Sequence, residues 1–160
     1  MRIRPATRED LPAIIAIEQA CFPPAEAAQA ADFTARFDAF SENFFVAQNE
    51  EGVVGFINGC TTDEFLLPDE LYHDAALHNP NGTVQTVFGL DVLPQYRKQG
   101  VAALLLRRLI EEARARGHRG VVLTCKDHLK HYYQKFGFVC RGVSASTHGG
   151  AVWNDMVLEF

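Results

Sequence analysis

The chain has 160 residues, 48% of them apolar, and a net charge of −5 at neutral pH. That length suits a single domain with a substantial core, and the acidic balance argues against nucleic acid as the main partner. No apolar run approaches the roughly 20 residues of a membrane span, and the opening MRIRPATRED has no apolar segment of a secretory leader.

The basic residues are uneven. Arg97, Lys98, Arg107, Arg108, Arg114, Arg116, Arg119, Lys126, Lys130 and Lys135 crowd the second half, leaving a basic region for an anionic ligand. The four cysteines, Cys21, Cys60, Cys125 and Cys140, form no CxxC pair and lie mostly in apolar segments. They read as reduced core thiols of a cytoplasmic protein. Histidine and cysteine spacing matches no metal-ligand pattern, so no metal is expected. No repeat, low-complexity tract or linker divides the chain, which makes residues 1–160 one domain.

Residues 1–5 read as a short strand. Thr7 can cap the following helix, with Asp10 three residues on in a weaker capping box. Leu11, Ile14, Ile15 and Glu18 give a helical stripe as far as Cys21, and Pro23 and Pro24 stop it. A second helix runs from Ala25 to about Phe40, with Phe33, Phe37 and Phe40 spaced for one face. NFFVAQNEEGVVGFINGCTT reads as a hairpin turning at Asn49 to Gly52. The irregular stretch 61–82, with a short helix near 68–77, mixes Phe65, Leu66, Leu67, Leu71 and Tyr72 with five acids. Such a segment suits a lid over an apolar cationic molecule, or an amphipathic surface helix with solvated acids.

The apolar run Val84 to Val92, rich in β-branched and aromatic residues, reads as a strand. Gly89 inside it predicts a bulge or a close approach to the backbone. Past Pro94 the apolar period changes to that of a helix, which starts after Arg97, Lys98, Gln99 and Gly100 and ends at Gly117. A helix start with basic flanks and a glycine is a ready site for an anion, here a diphosphate. GVVLTC is all apolar and predicts a buried strand parallel to the first. DHLKHYYQKFGF predicts a short amphipathic helix, and two antiparallel strands close the chain.

Two motifs, in this order, resemble the GNAT superfamily of acetyl-CoA-dependent N-acetyltransferases. LDVLPQYRKQGVA is similar to the strand and R-x-x-G-x-A turn of that family, and LTCKDHLKHYYQKFGF to its strand and tyrosine helix. The resemblance covers essentially the whole chain. It implies an α/β single-domain GNAT fold: a mixed central sheet of about seven strands, splayed at the acetyl-CoA site and flanked by about four helices. A closer likeness, in the layout of 60–84 and the positions shared in the second motif, is to the arylalkylamine N-acetyltransferases. The implied reaction is direct attack of a small primary amine on acetyl-CoA, with no metal. Alternatives within the family are a protein N-terminus, a lysine, a polyamine or an aminoglycoside as acceptor. Another alternative is a catalytically idle acyl-CoA-binding module.

The resemblance implies that backbone groups of Leu90, Asp91 and Val92 pair with the pantetheine arm. It further implies that Arg97, Lys98, Gln99, Gly100, Val101, Ala102 and Ala103 hold the pyrophosphate. Asp91 is awkward near an anion, so its side chain is expected on the opposite face, or else as a sheet-edge or capping carboxylate. Tyr133 holds the position of the family's general acid. Phe65, Leu66, Thr86 and Phe88 are the candidates for the acceptor pocket. The paired histidines of the animal enzymes fall on Thr86 and Phe88, which leaves the base open among Asp63, Glu64, Thr86 through a water, His73 and His78. Oligomeric state is not legible in the sequence.

Overall fold

The structure, a computed structural model, describes all residues from Met1 to Phe160. The first half alternates β1 (Arg2–Pro5), α1 (Leu11–Cys21), α2 (Ala30–Phe40), β2 (Phe44–Asn49), β3 (Gly52–Asn58), the two-residue β4 (Thr61–Thr62) and α3 (Asp69–His73). The second half follows with β5 (Val84–Val87), β6 (Gly89–Val92), α4 (Val101–Ala115), β7 (Gly120–Cys125), α5 (Lys130–Gln134), β8 (Val139–Val143) and β9 (Asn154–Glu159). Thr7 caps the first helical turn as its sequence predicts. Its N–H donates to Asp10 Oδ2 at 2.8 Å, and Arg4 donates to both Asp10 oxygens.

The strands form two sheets, ordered β1-β2-β3-β6 and β4-β5-β7-β9-β8. Nine strands and five helices replace the expected seven and four. Part of the difference is β4, and part is that the run Val84–Val92 is two strands. It breaks at Phe88, whose N–H donates to Asn58 O at 2.7 Å. Before the break the chain pairs in parallel with β7; after it, antiparallel with β3. One continuous apolar stretch therefore belongs to both sheets.

Strand alternation distributes the core. Phe45, Ala47, Val54 and Ile57 face Leu105 and Leu109 of α4. Their neighbours Phe44, Val46 and Phe56 face α1 and α2, where Phe33, Phe37 and Phe40 pack with them as spaced. Phe33 meets Phe56 edge to face at 5.6 Å. The amphipathic α4 ends as predicted at Gly117, whose φ is 77°.

The crossing from β3 to β4 brings Gly59 against β5. A Cβ there would lie 1.9 Å from the carbonyl oxygen of Thr86, so this approach tolerates no side chain. Gly59→Ala should cost about 1–3 kcal/mol by overpacking and lower the thermal midpoint by several degrees in circular-dichroism melts. An unchanged midpoint would show that the two segments separate freely.

Candidate active site

The site begins where the two sheets part. Val87 and Leu123 form the last parallel pair. Beyond them β6 leaves with β3, while β7 continues to Cys125 paired only with β9. The gap opens into a cavity of about 1290 Å³, and the outer edge of β6, last in its sheet, presents unpaired backbone groups to it. Leu90, Asp91 and Val92 all line this cavity, on the strand where the sequence places them.

The turn into α4 forms one end. Arg97, Lys98, Gly100, Val101, Ala102 and Ala103 are on its wall. Gly100 caps the helix with φ 81°, a left-handed conformation that favours glycine. Leu104 is the first residue whose N–H reaches back, to Gly100 O at 3.1 Å, so the N–H groups of the first helical turn are free for an anion. Arg97 Nε donates to Val92 O at 3.1 Å and ties the turn to the strand. Gln99 departs from expectation. It is not on the wall, because its amide turns back toward the carbonyl of Gln95.

Asp91 is the least expected feature. Expected to turn away from the ligand, it instead lines the cavity, and cross-strand pairing with Phe56 puts it on the α1 face of the edge strand β6. It is 2% exposed, and neither carboxyl oxygen finds a donor among the protein's ordinary hydrogen-bonding groups. It faces Glu18 of α1. A Cβ on Gly89 would lie 3.3 Å from Asp91 Oδ1 and 3.8 Å from Glu18 Oε1. Burial, then the neighbouring Glu18, hold the Asp91 carboxyl well above its usual range. A proton on Asp91, donated to Glu18, supplies the missing partner. Glu18 Oε2 also accepts from the N–H of Ala28 at 2.8 Å. Sequence reading placed Glu18 in the apolar stripe of α1 without a role. The signal was its phase: a carboxylate in register with Leu11 and Ile14 must be buried.

Tyr133 reaches the same cavity from α5. Burial pushes its hydroxyl above the ordinary phenol range, with no hydrogen bond among the causes. It is therefore a neutral, unspent donor.

The other end is aromatic. Tyr72 stacks on His148 at 5.9 Å and lies 4.8 Å from Phe88, and Trp153 packs beside His148. Three segments close over this chamber. Ser146 and Thr147 donate to Asp69 of α3, and His148 Nε2 is 2.7 Å from Glu26 O. Of the residues expected there, only Phe88 lines the cavity. Thr86 is fully buried with its hydroxyl donated to Cys60 O, because β5 alternation turns it away. Phe65 packs on Val84, Val122 and Val157 at the far end of the sheet, and Leu66 is 55% exposed.

Among the open candidates for a base, His78 is clamped between Phe40 and the N–H of Thr61, Asp63 accepts from Asn79, and neither touches the cavity. Glu64 is exposed and also off its wall. His73 does line it. No group of three or more His, Cys, Asp or Glu is arranged to hold a metal, and no helix is long and apolar enough to cross a membrane.

The profile of the acetyltransferase (GNAT) family matches residues 11–138. The chain belongs to that family. Serotonin N-acetyltransferase of Mesocricetus auratus is 34% identical over 109 residues, covering 67% of this chain and 51% of the relative. The Macaca mulatta enzyme is 31% identical over 110 residues, covering 67% and 52%. The chain thus matches about half the length of these curated relatives. Among solved structures, the GphF GNAT-like decarboxylase in complex with isobutyryl-CoA superposes with a TM-score of 0.83 at 21% identity, over 99% of both chains. At that identity the likeness is one of fold. The GNAT cofactor fits the residues present: a free β6 edge for an extended arm and, for a pyrophosphate, a helix start with no side-chain cap beside Arg97 and Lys98.

The Asp91 proton has a stability signature. Its folded pKa lies above its unfolded value, so its stabilisation is complete below about pH 4 and is lost as pH rises through the raised value. Asn cannot ionise. The melting temperature of the wild type should therefore fall relative to Asp91→Asn between about pH 4 and pH 8, followed by scanning fluorimetry. Parallel curves would place the proton elsewhere.

Proposed function

We propose that this domain transfers the acetyl group of acetyl-CoA to the primary amine of a small aryl-alkyl acceptor, both bound in one cavity. The observation that carries the reading is the Glu18–Asp91 pair. It stands at the parting of β6 and β7, with a cofactor-type turn at one end of the cavity and an aromatic chamber at the other. Similarity to the serotonin N-acetyltransferases supports an aromatic amine. So does the chamber of Tyr72, Phe88, His148 and Trp153.

Acetyl-CoA would supply an acetyl thioester whose sulfur leaves as a thiolate. Leu90, Asp91 and Val92 would hold its arm by backbone pairing, and a free N–H of that edge would polarise the carbonyl oxygen. The backbone of Lys98 and of Gly100 to Ala103 would hold the pyrophosphate beside Arg97. An alkylammonium, with a pKa near roughly 10, must lose a proton before its lone pair can attack. The carboxyl pair accepts that proton at Glu18, while Asp91 keeps its own and stabilises Glu18 through it. The C–N bond then forms, the C–S bond breaks, and the Tyr133 hydroxyl gives its proton to the sulfur. The second nitrogen proton restores the hydroxyl, so one proton is released to solvent per turnover. The pair does the work assigned in the animal enzymes to the histidines missing at Thr86 and Phe88.

Glu18→Gln should lower kcat/KM for tryptamine by about 10²–10⁴, read by thiol release from acetyl-CoA. Unchanged kcat/KM would remove the carboxyl pair from the scheme. Tyr133→Phe should lower kcat while coenzyme A binding, measured by calorimetry, changes little. Equal turnover in both proteins would take the acid away from Tyr133.

A further inference from the structure

The aromatic chamber holds a cation that the reaction does not use. Arg36 of α2 lines the cavity and is only 5% exposed. No carboxylate forms an ion pair with it. Its Nη2 donates to the carbonyl oxygen of Tyr72 at 2.9 Å, and its Nε is buried without a partner. The remaining contacts are ring faces: the guanidinium carbon lies 4.8 Å from the centroid of Phe88 and 5.3 Å from that of Phe33. Burial pulls Arg36 down from its ordinary pKa, and Glu18 is the strongest charge acting against that. Yet Glu18 is occupied by Ala28 and by Asp91, and Asp32 caps the start of α2 through Gln29 N. A buried guanidinium with most of its donors idle is strongly destabilising unless an anion completes it.

Position says which anion. Arg36 stacks on Phe88, and the carboxyl pair surrounds the next residue, Gly89. The cation and the proton acceptor therefore lie on one stretch of wall, and Glu18 is the strongest charge acting on Arg36. An α-amino acid, with its amine and its carboxylate on one carbon, presents both charges to such a stretch. The partner carbonyl of Arg36 belongs to the lid helix α3, on the acceptor side rather than on the turn into α4.

We propose that the acceptor carries a carboxylate beside its amine, and that Arg36 binds it. The substrate class is then an aromatic α-amino acid, with its ammonium at Glu18, its carboxylate at Arg36 and its ring among Tyr72, His148 and Trp153. This rests on the acetyl-transfer reading above and narrows its acceptor. Arg36 is a specificity residue: its fork matches a carboxylate in two parallel hydrogen bonds, which an ammonium point charge does not reproduce.

The test compares matched pairs, tryptophan with tryptamine and phenylalanine with phenethylamine, by thiol release from acetyl-CoA with the intact chain. The wild type should favour the amino acid at least tenfold in kcat/KM. Arg36→Met should bring that ratio close to one, and Arg36→Lys should keep part of it. If Arg36→Met does not fold, the wild-type ratio still decides. A second readout is quenching of Trp153, the single tryptophan, which should report tighter wild-type binding of N-acetylphenylalanine than of N-acetylphenethylamine. Turnover of the amines with no preference for the acids overturns this proposal and leaves acetyl transfer standing. No thiol release with any member of the panel overturns both. Preference for malonyl-CoA or succinyl-CoA over acetyl-CoA with tryptamine puts the carboxylate on the acyl donor, and likewise overturns it.

Discussion

The parting of β6 from β7 at Phe88 is the constraint on which the other features depend. Backbone groups seek partners on both edges of a strand, and the run 84–92 changes its partner, β7 before the break and β3 after it, so that β6 is paired on one edge only. The change leaves one edge of β6 open inside the molecule rather than at its surface. An extended ligand can pair there without competing with an existing ladder. The same break lets Phe88 enter the aromatic chamber and brings Gly89 beneath the carboxyl pair.

Buried charge is the second organising term. The cavity wall holds two facing carboxyl groups, Glu18 and Asp91, and a guanidinium with aromatic faces for company. A glutamate–lysine bridge, Glu26 to Lys126 at 2.7 Å, adds a third charged element. Each would be inexpensive in water and is costly in a low dielectric. Hydrophobic packing of α1, α2 and α4 against the sheets holds these groups in place. Phe33 and Phe56 fix the face on which Arg36 emerges, and Ile14 and Ile17 fix the phase of Glu18. Stability of the core is thereby converted into electrostatic preorganisation of the site.

Local chemistry made much of the fold legible in advance. The Thr7–Asp10 cap, the hairpin at Asn49 to Gly52, the α4 stripe ending at Gly117 and the parallel pairing of Val84–Val87 with β7 follow from periods, caps and turn residues. The cavity wall formed by β6 and the turn into α4 was legible for the same reason, since a strand, a basic turn and a helix start are contiguous in sequence. The lining of the aromatic end was not. Phe65 and Leu66 look like lid residues from composition, but the chain direction between β4 and β5 carries one to the far end of the sheet and the other to solvent.

The sequence by itself determined most of the elements, their order, the basic turn into α4 and the placement of Tyr133 on a short helix. Each of these depends on residues within one or two turns of one another. Tertiary structure alone decided that Glu18 meets Asp91 and that Arg36 reaches Phe88, pairs 73 and 52 positions apart in the chain. Their meeting depends on which face of β6 is turned toward α1, a parity set by the break at Phe88. A shift of one residue in that break would turn Asp91 toward α4 and Leu90 toward Glu18, and no local pattern in the sequence records which of the two occurs.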